Sequence, residues 1–258
     1  MGFDQQNYDI NGIDTAVLTA GTGDPLVFLH GAGTVTGFDA LLPLAGRYRL
    51  IVPLHPGFGA SADDPSVDSV HDYRRHYLDL LDRLEIQRSV LIGHSMGGYL
   101  AASLAIDNSE RISRLVLASP IGLKVPEHPT VDLFTIPPAE LGGYLTQKPS
   151  IFDGFIPDPP TPEFLADQYR ELTSAARLLW ESPYDRKLDK WLHRVRMPTL
   201  LLWGEADQLI PIGQCAQWAN RLPNAEQHIL PGVGHLLFDE SPDAVDAVLR
   251  FVGEPVPA

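Results

Sequence analysis

Cysteine is almost absent. Cys215 stands alone, so no disulfide forms within the chain and no cysteine-based metal site is expected. Basic residues are scarce, with 19 Lys and Arg against 33 Asp and Glu, for a formal net charge of −14. Binding to nucleic acid or to anionic lipid needs clustered cations, so neither nucleic acid nor membrane is an expected partner. Apolar runs all fall short of the roughly 18 residues at which a membrane-spanning helix is read. The N-terminal MGFDQQNYDI has no basic start followed by an apolar stretch, so no secretory signal is expected. These absences together lead to the expectation of a soluble, cytoplasmic protein.

What is present is a globular composition, 44% hydrophobic and 20% charged over 258 residues, enough for one substantial core with an inserted cap. YDINGIDTAVLTAG predicts two strands joined at Asn11-Gly12, a pair suited to the positive φ angles of a two-residue hairpin. LVFLHGAG is a continuous apolar run stopped by glycines, the pattern of a strand covered on both faces. The same pattern recurs at 48–59, 89–98, 114–120, 198–207 and 226–235. Between these runs, Val70, Tyr73, Tyr77, Leu80, Leu81 and Leu84 share one helical face. Strands alternating with helices predict a mostly parallel, doubly wound α/β sheet.

The alternation breaks over about 121–190, which is rich in proline and ends in the amphipathic FLADQYRELTSAARLLW. Phe134, Phe152, Phe155, Leu178, Leu179 and Trp180 give this stretch enough apolar bulk to fold, and a lid over the sheet edge is expected.

Gly93-His94-Ser95-Met96-Gly97 follows an apolar strand and opens an Ala-rich helix. So tight a strand-to-helix turn needs residues without bulk around the serine, and it presents the hydroxyl at a helix N-terminus. A serine becomes nucleophilic only when a base takes its proton. Downstream, His235 follows the flexible PGVG turn, whereas His228 sits mid-strand, so His235 is the predicted base. Glu205 and Asp207 both follow the preceding strand. Asp207 is better placed to hold the imidazole tautomer, with Glu205 as the fallback. An oxyanion needs two N–H donors, for which Met96 and Ala32, in the LHGAG turn, are the candidates.

Taken together, HGAG (30–33), HPGFGAS (55–61), GHSMGG (93–98), GEADQLIP (204–211) and GVGHLLFDESP (232–242) make the chain resemble the α/β-hydrolase family over nearly its whole length. The resemblance implies an eight-stranded sheet with a core of 1–120 and 191–258 and a lid, 121–190, inserted after the sixth strand. It assigns Ser95, Asp207 and His235 to a catalytic triad and Ala32 and Met96 to the oxyanion hole, with no metal or organic cofactor. Many relatives have Asp where this chain has His55, a change expected to leave the turn intact. Ser95 argues against haloalkane dehalogenases and epoxide hydrolases, which place Asp there. Carbon–carbon bond hydrolases of ring-cleavage products often have Trp after the catalytic histidine and an arginine in the cap. Leu236 fills the first place here, and Arg177 is the candidate for the second.

Neither G-x-G-x-x-G at a strand-to-helix turn nor a P-loop occurs, which removes the dinucleotide and phosphate-loop readings. His71 and His76 are five apart, on different helix faces, and make a poor metal site. The expected activity is cleavage of a small to medium, partly apolar carboxylic ester through an acyl-enzyme. Phe134, Trp180, Arg177 and Leu236 are the expected substrate contacts. The alternatives are carbon–carbon hydrolysis of a ring-cleavage diketone, and a non-catalytic ligand-binding protein on the same fold. Dimerisation through the caps stays open.

Overall fold

The computed structural model describes residues 2–148, 150, 151 and 154–253, so Phe152 lies outside the described residues. Its centre is an eight-stranded sheet in the order β1-β2-β4-β3-β5-β6-β7-β8. The strands are β1 (Asp4–Ile10), β2 (Ile13–Ala20), β3 (Pro25–Leu29), β4 (Arg49–Pro53), β5 (Ser89–His94), β6 (Ile112–Ala118), β7 (Thr199–Gly204) and β8 (Ala225–Leu230). β2 runs antiparallel to β1 and β4, and every other pairing is parallel. The hairpin turn falls at Asn11 (φ 53°) and Gly12 (φ 88°), as the sequence predicts.

Alternate residues of the central strands feed two separate cores. Val27, Leu29, Leu91, Leu201 and Trp203 face one layer of helices. Leu26, Phe28, Val90, Ile92, Leu200 and Leu202 face the other. The first layer holds α1 (Val70–Arg83) and α2 (Met96–Asp107), which present Tyr73, Tyr77, Leu80 and Leu100 to the sheet. Ser69 caps α1, its hydroxyl accepting from the Asp72 N–H at 3.3 Å. α2 is buried all round, and its small residues allow it to lie close against the strands. A Cβ on Gly97 would run into the carbonyls of Leu29 and His30, so only glycine fits there. Within the same layer His76 is buried beside Thr15, at 3.3 Å, while His71 faces solvent.

One expectation needs correcting. β8 was predicted to be covered on both faces, yet Glu226, Gln227 and Ile229 are exposed because β8 is the sheet edge. An apolar run does not by itself distinguish an edge strand from an inner one.

Between β6 and β7 lie α3 (Leu141–Leu145), α4 (Pro162–Leu179) and α5 (Leu188–Trp191), separated by turns. α4 is the amphipathic helix read from the sequence. Thr161 caps it, accepting from Phe164 N–H at 3.2 Å, and Pro162 occupies its first turn. After β7 come α6 (Gly213–Ala219), α7 (Leu237–Glu240) and α8 (Pro242–Gly253).

Candidate active site

The turn from β5 into α2 carries Ser95 at φ 55° and ψ −117°, a backbone state that costs an L-residue on the order of 1–3 kcal/mol. The surroundings hold it there. Ser95 N–H donates to Ala118 O at 2.9 Å, and a side chain on Gly93 would strike Gly97 and Ala101. The hydroxyl therefore stands at the C-terminal edge of the parallel strands, at the first turn of a buried helix.

Asp207 leaves the turn after β7 and meets His235 from the turn after β8. Asp207 Oδ2 lies 2.8 Å from His235 Nδ1, with Asp207 6% and His235 2% exposed. The other oxygen, Oδ1, accepts from the N–H groups of Leu209 (3.0 Å) and Ile210 (2.8 Å). Burial works to raise this carboxyl, but the imidazole and the Ile210 N–H outweigh it and hold it below the ordinary carboxylate value. Glu205, the fallback acid, instead accepts from Gly232 N–H at 3.0 Å and anchors the turn beyond β8. Geometry thus selects Asp207 as the histidine's partner. His228 stays in β8, paired with Leu202.

His94 was not singled out by sequence reasoning, although it lies inside the serine motif. Its Nε2 donates to His235 O at 2.9 Å, and the two rings are 4.8 Å apart between centroids. Desolvation pushes His94 down to about 3, so it is a neutral donor that pins the His235 turn beside Ser95. Among the described residues no hydrogen bond joins the Ser95 hydroxyl to the imidazole. Such contacts are often long until substrate binds.

Two candidate donors line the same cleft as the serine. Ala32, Ser95 and Met96 line this cleft with Val131, Phe134 and Leu209. Among the described residues no protein acceptor takes the N–H of Ala32 or of Met96. Donors left free beside a serine hydroxyl are what a developing oxyanion requires.

Behind the Ala32 turn is a buried stack of aromatic rings. The His30 and His55 rings lie 3.6 Å apart between centroids; His55 Nε2 donates to His30 O at 2.7 Å, and the Tyr77 hydroxyl meets His55 Nδ1. His30 Nε2 accepts from His55 N–H at 2.9 Å. Burial lowers both histidines, His30 to about 3, so the stack is uncharged. The turn after β4 survives the His55 substitution, with Phe58 N–H donating to His55 O at 2.9 Å.

Of the four expected substrate contacts, only Phe134 lines the cleft. Trp180 packs on Phe134 at 5.4 Å between centroids but is 70% exposed, turned outward at the end of α4. Arg177 is bound to Asp63, 2.5 Å away, and to Ser174, which draw it off the cleft. Leu236 is half-buried and its N–H donates to Leu145 O at 2.9 Å; its side chain is not part of the cleft wall. Among the described residues no group of three or more His, Cys, Asp or Glu side chains could hold a metal ion. No helix among them is long and apolar enough to cross a membrane.

With this geometry in hand, known proteins supply the class. Residues 26–248 match the Alpha/beta hydrolase family, and the chain belongs to it. It is 26% identical to the 2-hydroxy-6-oxo-6-(2'-aminophenyl)hexa-2,4-dienoic acid hydrolase of Metapseudomonas resinovorans, covering 93% of this chain and 88% of that one. It is 28% identical to the 2-hydroxymuconate semialdehyde hydrolase of Pseudomonas sp. strain CF600, covering 87% and 84%. In fold it is similar to the 2-hydroxy-6-oxo-6-phenylhexa-2,4-dienoate hydrolase of Rhodococcus sp. strain RHA1, with a TM-score of 0.80 at 20% identity over 98% and 99% of the chains. A similar likeness holds to the naproxen esterase of Bacillus subtilis, with a TM-score of 0.77 at 21% identity over 97% and 92%.

Proposed function

We propose that this α/β hydrolase is a serine hydrolase that works through an acyl-enzyme, with Ser95 as nucleophile, His235 as base and Asp207 as orienting acid. Ser95 Oγ attacks the substrate carbonyl while His235 Nε2 takes its proton. The resulting oxyanion is received by the N–H groups of Ala32 and Met96. His235 then returns the proton to the leaving group, and the acyl bond to Ser95 remains. A water molecule, deprotonated by His235, attacks that bond; the acid leaves and the serine hydroxyl is restored. Asp207 holds the imidazole with Nδ1 protonated, so Nε2 is the basic nitrogen throughout. The observation that carries the reading is the buried 2.8 Å contact of Asp207 with His235, beside a serine in a strained turn.

Residues 121–190 act in this reading as a cap, and the substrate is a small to medium, partly apolar ester. The apolar cleft wall at Val131, Phe134 and Leu209 supports it. Carbon–carbon hydrolysis of a ring-cleavage diketone is the second reading, supported by the activities named for the two hydrolase relatives. Against it stands Arg177, which is engaged by Asp63 and not by the cleft. A panel of p-nitrophenyl esters of graded chain length plus a vinylogous diketone separates the two through kcat/KM. Preference for the diketone would replace the ester assignment. Failure of the Ser95→Ala variant to lose turnover would remove the mechanism altogether.

A further inference from the structure

The proposed oxyanion turn is held at both ends, and one of the holds comes from the cap. At Gly31 the carbonyl lies 2.8 Å from His30 Nδ1. At Thr34 the partner is Glu171, on the inward face of α4 and only 3% exposed. Glu171 Oε2 accepts from the Thr34 N–H at 2.9 Å, and Oε1 accepts from the Thr34 hydroxyl and from the Gly59 N–H, the latter at 2.9 Å. Ala32 and Gly33 lie between the two pins. The other acids of α4, Glu163 and Asp167, are exposed, so Glu171 is the only one turned inward. Arg170 strengthens the same junction, donating to Gly59 O at 2.6 Å.

We propose that Glu171 is a positioning residue that aims the Ala32 N–H at the substrate oxyanion, so that seating the cap and assembling the oxyanion hole are one event. The inference rests on the serine-hydrolase reading above. A buried carboxylate with three donors fixes their geometry, and its removal leaves the Thr34 and Gly59 N–H groups without an acceptor. The turn then relaxes to find water. Outright loss of an oxyanion donor lowers rates about 10²–10³-fold, and a donor displaced but present is expected to cost about 10–100-fold. Because the oxyanion forms only in the tetrahedral intermediate and its flanking transition states, and not in bound substrate, the loss falls on kcat and not on KM. Were Glu171 merely a fastener for the cap, its removal would change substrate capture and hence KM.

The test uses the full chain, a p-nitrophenyl ester, and a trifluoromethyl ketone as a mimic of the tetrahedral intermediate. Glu171→Ala is expected to lower kcat about 10–100-fold, keep KM within about twofold and weaken ketone binding by the same factor as kcat. Glu171→Gln keeps an acceptor for only one of the two backbone N–H groups and turns an amide N–H toward the other, so it recovers only part of the loss. A folded Glu171→Ala protein with kcat within about twofold of the parent, a loss confined to KM, or an unchanged ketone affinity would each overturn the proposal. Should Glu171→Ala fail to fold, Thr34→Val decides by removing only the hydroxyl contact. Matched losses of about threefold in kcat and ketone affinity support the proposal, and no change in either refutes it. Fluorophosphonate labelling of the parent at Ser95 keeps the two levels apart. A labelled parent with unaffected variants refutes only the role of Glu171, whereas an unlabelled parent refutes the hydrolase reading and this inference with it.

Discussion

Mild acid should destabilise this protein well before its ordinary carboxylates titrate. His30 and His76 are 1% and 5% exposed, and burial lowers them from 6.5 to about 3 and about 4. For a base with a lowered native value, the unfolded chain takes up a proton that the native fold refuses. Stability is therefore complete above about 6.5 and falls as the pH drops below it. At pH 5 each histidine costs about 2 kcal/mol relative to pH 7.5. Asp239 acts in the opposite sense, since burial raises it from 3.8 to about 6 and the native state then gains its proton first. That offsets about 1 kcal/mol at pH 5, but the buried His94, lowered to about 3, costs about another 2 kcal/mol in the same way as His30, leaving a net loss of about 5 kcal/mol. His55, also lowered by burial, adds in the same direction as the histidines. Against a total stability of about 5–15 kcal/mol this is a large fraction. With a slope near 3 kcal/mol per molar urea, the midpoint should move down by about 1.7 M between pH 7.5 and pH 5. The assay is urea unfolding at both pH values, followed by tryptophan fluorescence and far-ultraviolet dichroism. His76→Gln should remove about 2 kcal/mol of that pH dependence while the rest remains. A midpoint unchanged or higher at pH 5 would refute the claim that these histidines are buried and neutral.

Two further predictions separate residues that look equivalent in sequence. Asp207→Asn should lower kcat about 10⁴-fold by favouring the wrong imidazole tautomer, while Glu205→Gln, which alters only an anchored turn, should stay within about tenfold of the parent. The reverse order in steady-state assays would move the acid to Glu205. Phe134→Ala should change the chain-length preference among esters by about tenfold, because it enlarges the cleft wall, whereas the exposed Trp180→Ala should not. Equal effects in kcat/KM would show that the cleft described here is not where substrate sits.

Much of the architecture was legible because it is written in local patterns. Asn11-Gly12 has one low-energy use between two strands, and Tyr73, Tyr77, Leu80 and Leu81 turn inward at helical spacing. The Ser95 turn was legible for the same reason, since Gly93 is forced by contacts within one strand–turn–helix unit, while Gly97 is forced by the carbonyls of Leu29 and His30 at the end of the neighbouring β3. Asp207 and His235 could be found by chain order, but only the fold shows Glu205 drawn away by Gly232. What the sequence concealed depends on distant partners. The placement of Arg177 is decided by Asp63, more than a hundred residues away along the chain, and the outward turn of Trp180 by where α4 ends. β8 reads as apolar yet lies at the edge, because strand order is a property of the whole sheet. Glu171 left one trace, an acid on the otherwise inward face of an amphipathic helix, and that trace gives no hint of Thr34 or Gly59.

The most direct test is to treat the purified chain with a fluorophosphonate and map the adduct by peptide mass spectrometry. The account predicts one stoichiometric label on Ser95, formed rapidly in the parent and severely slowed in His235→Ala. A label that forms elsewhere, fails to form, or forms at Ser95 equally fast without His235 would contradict it.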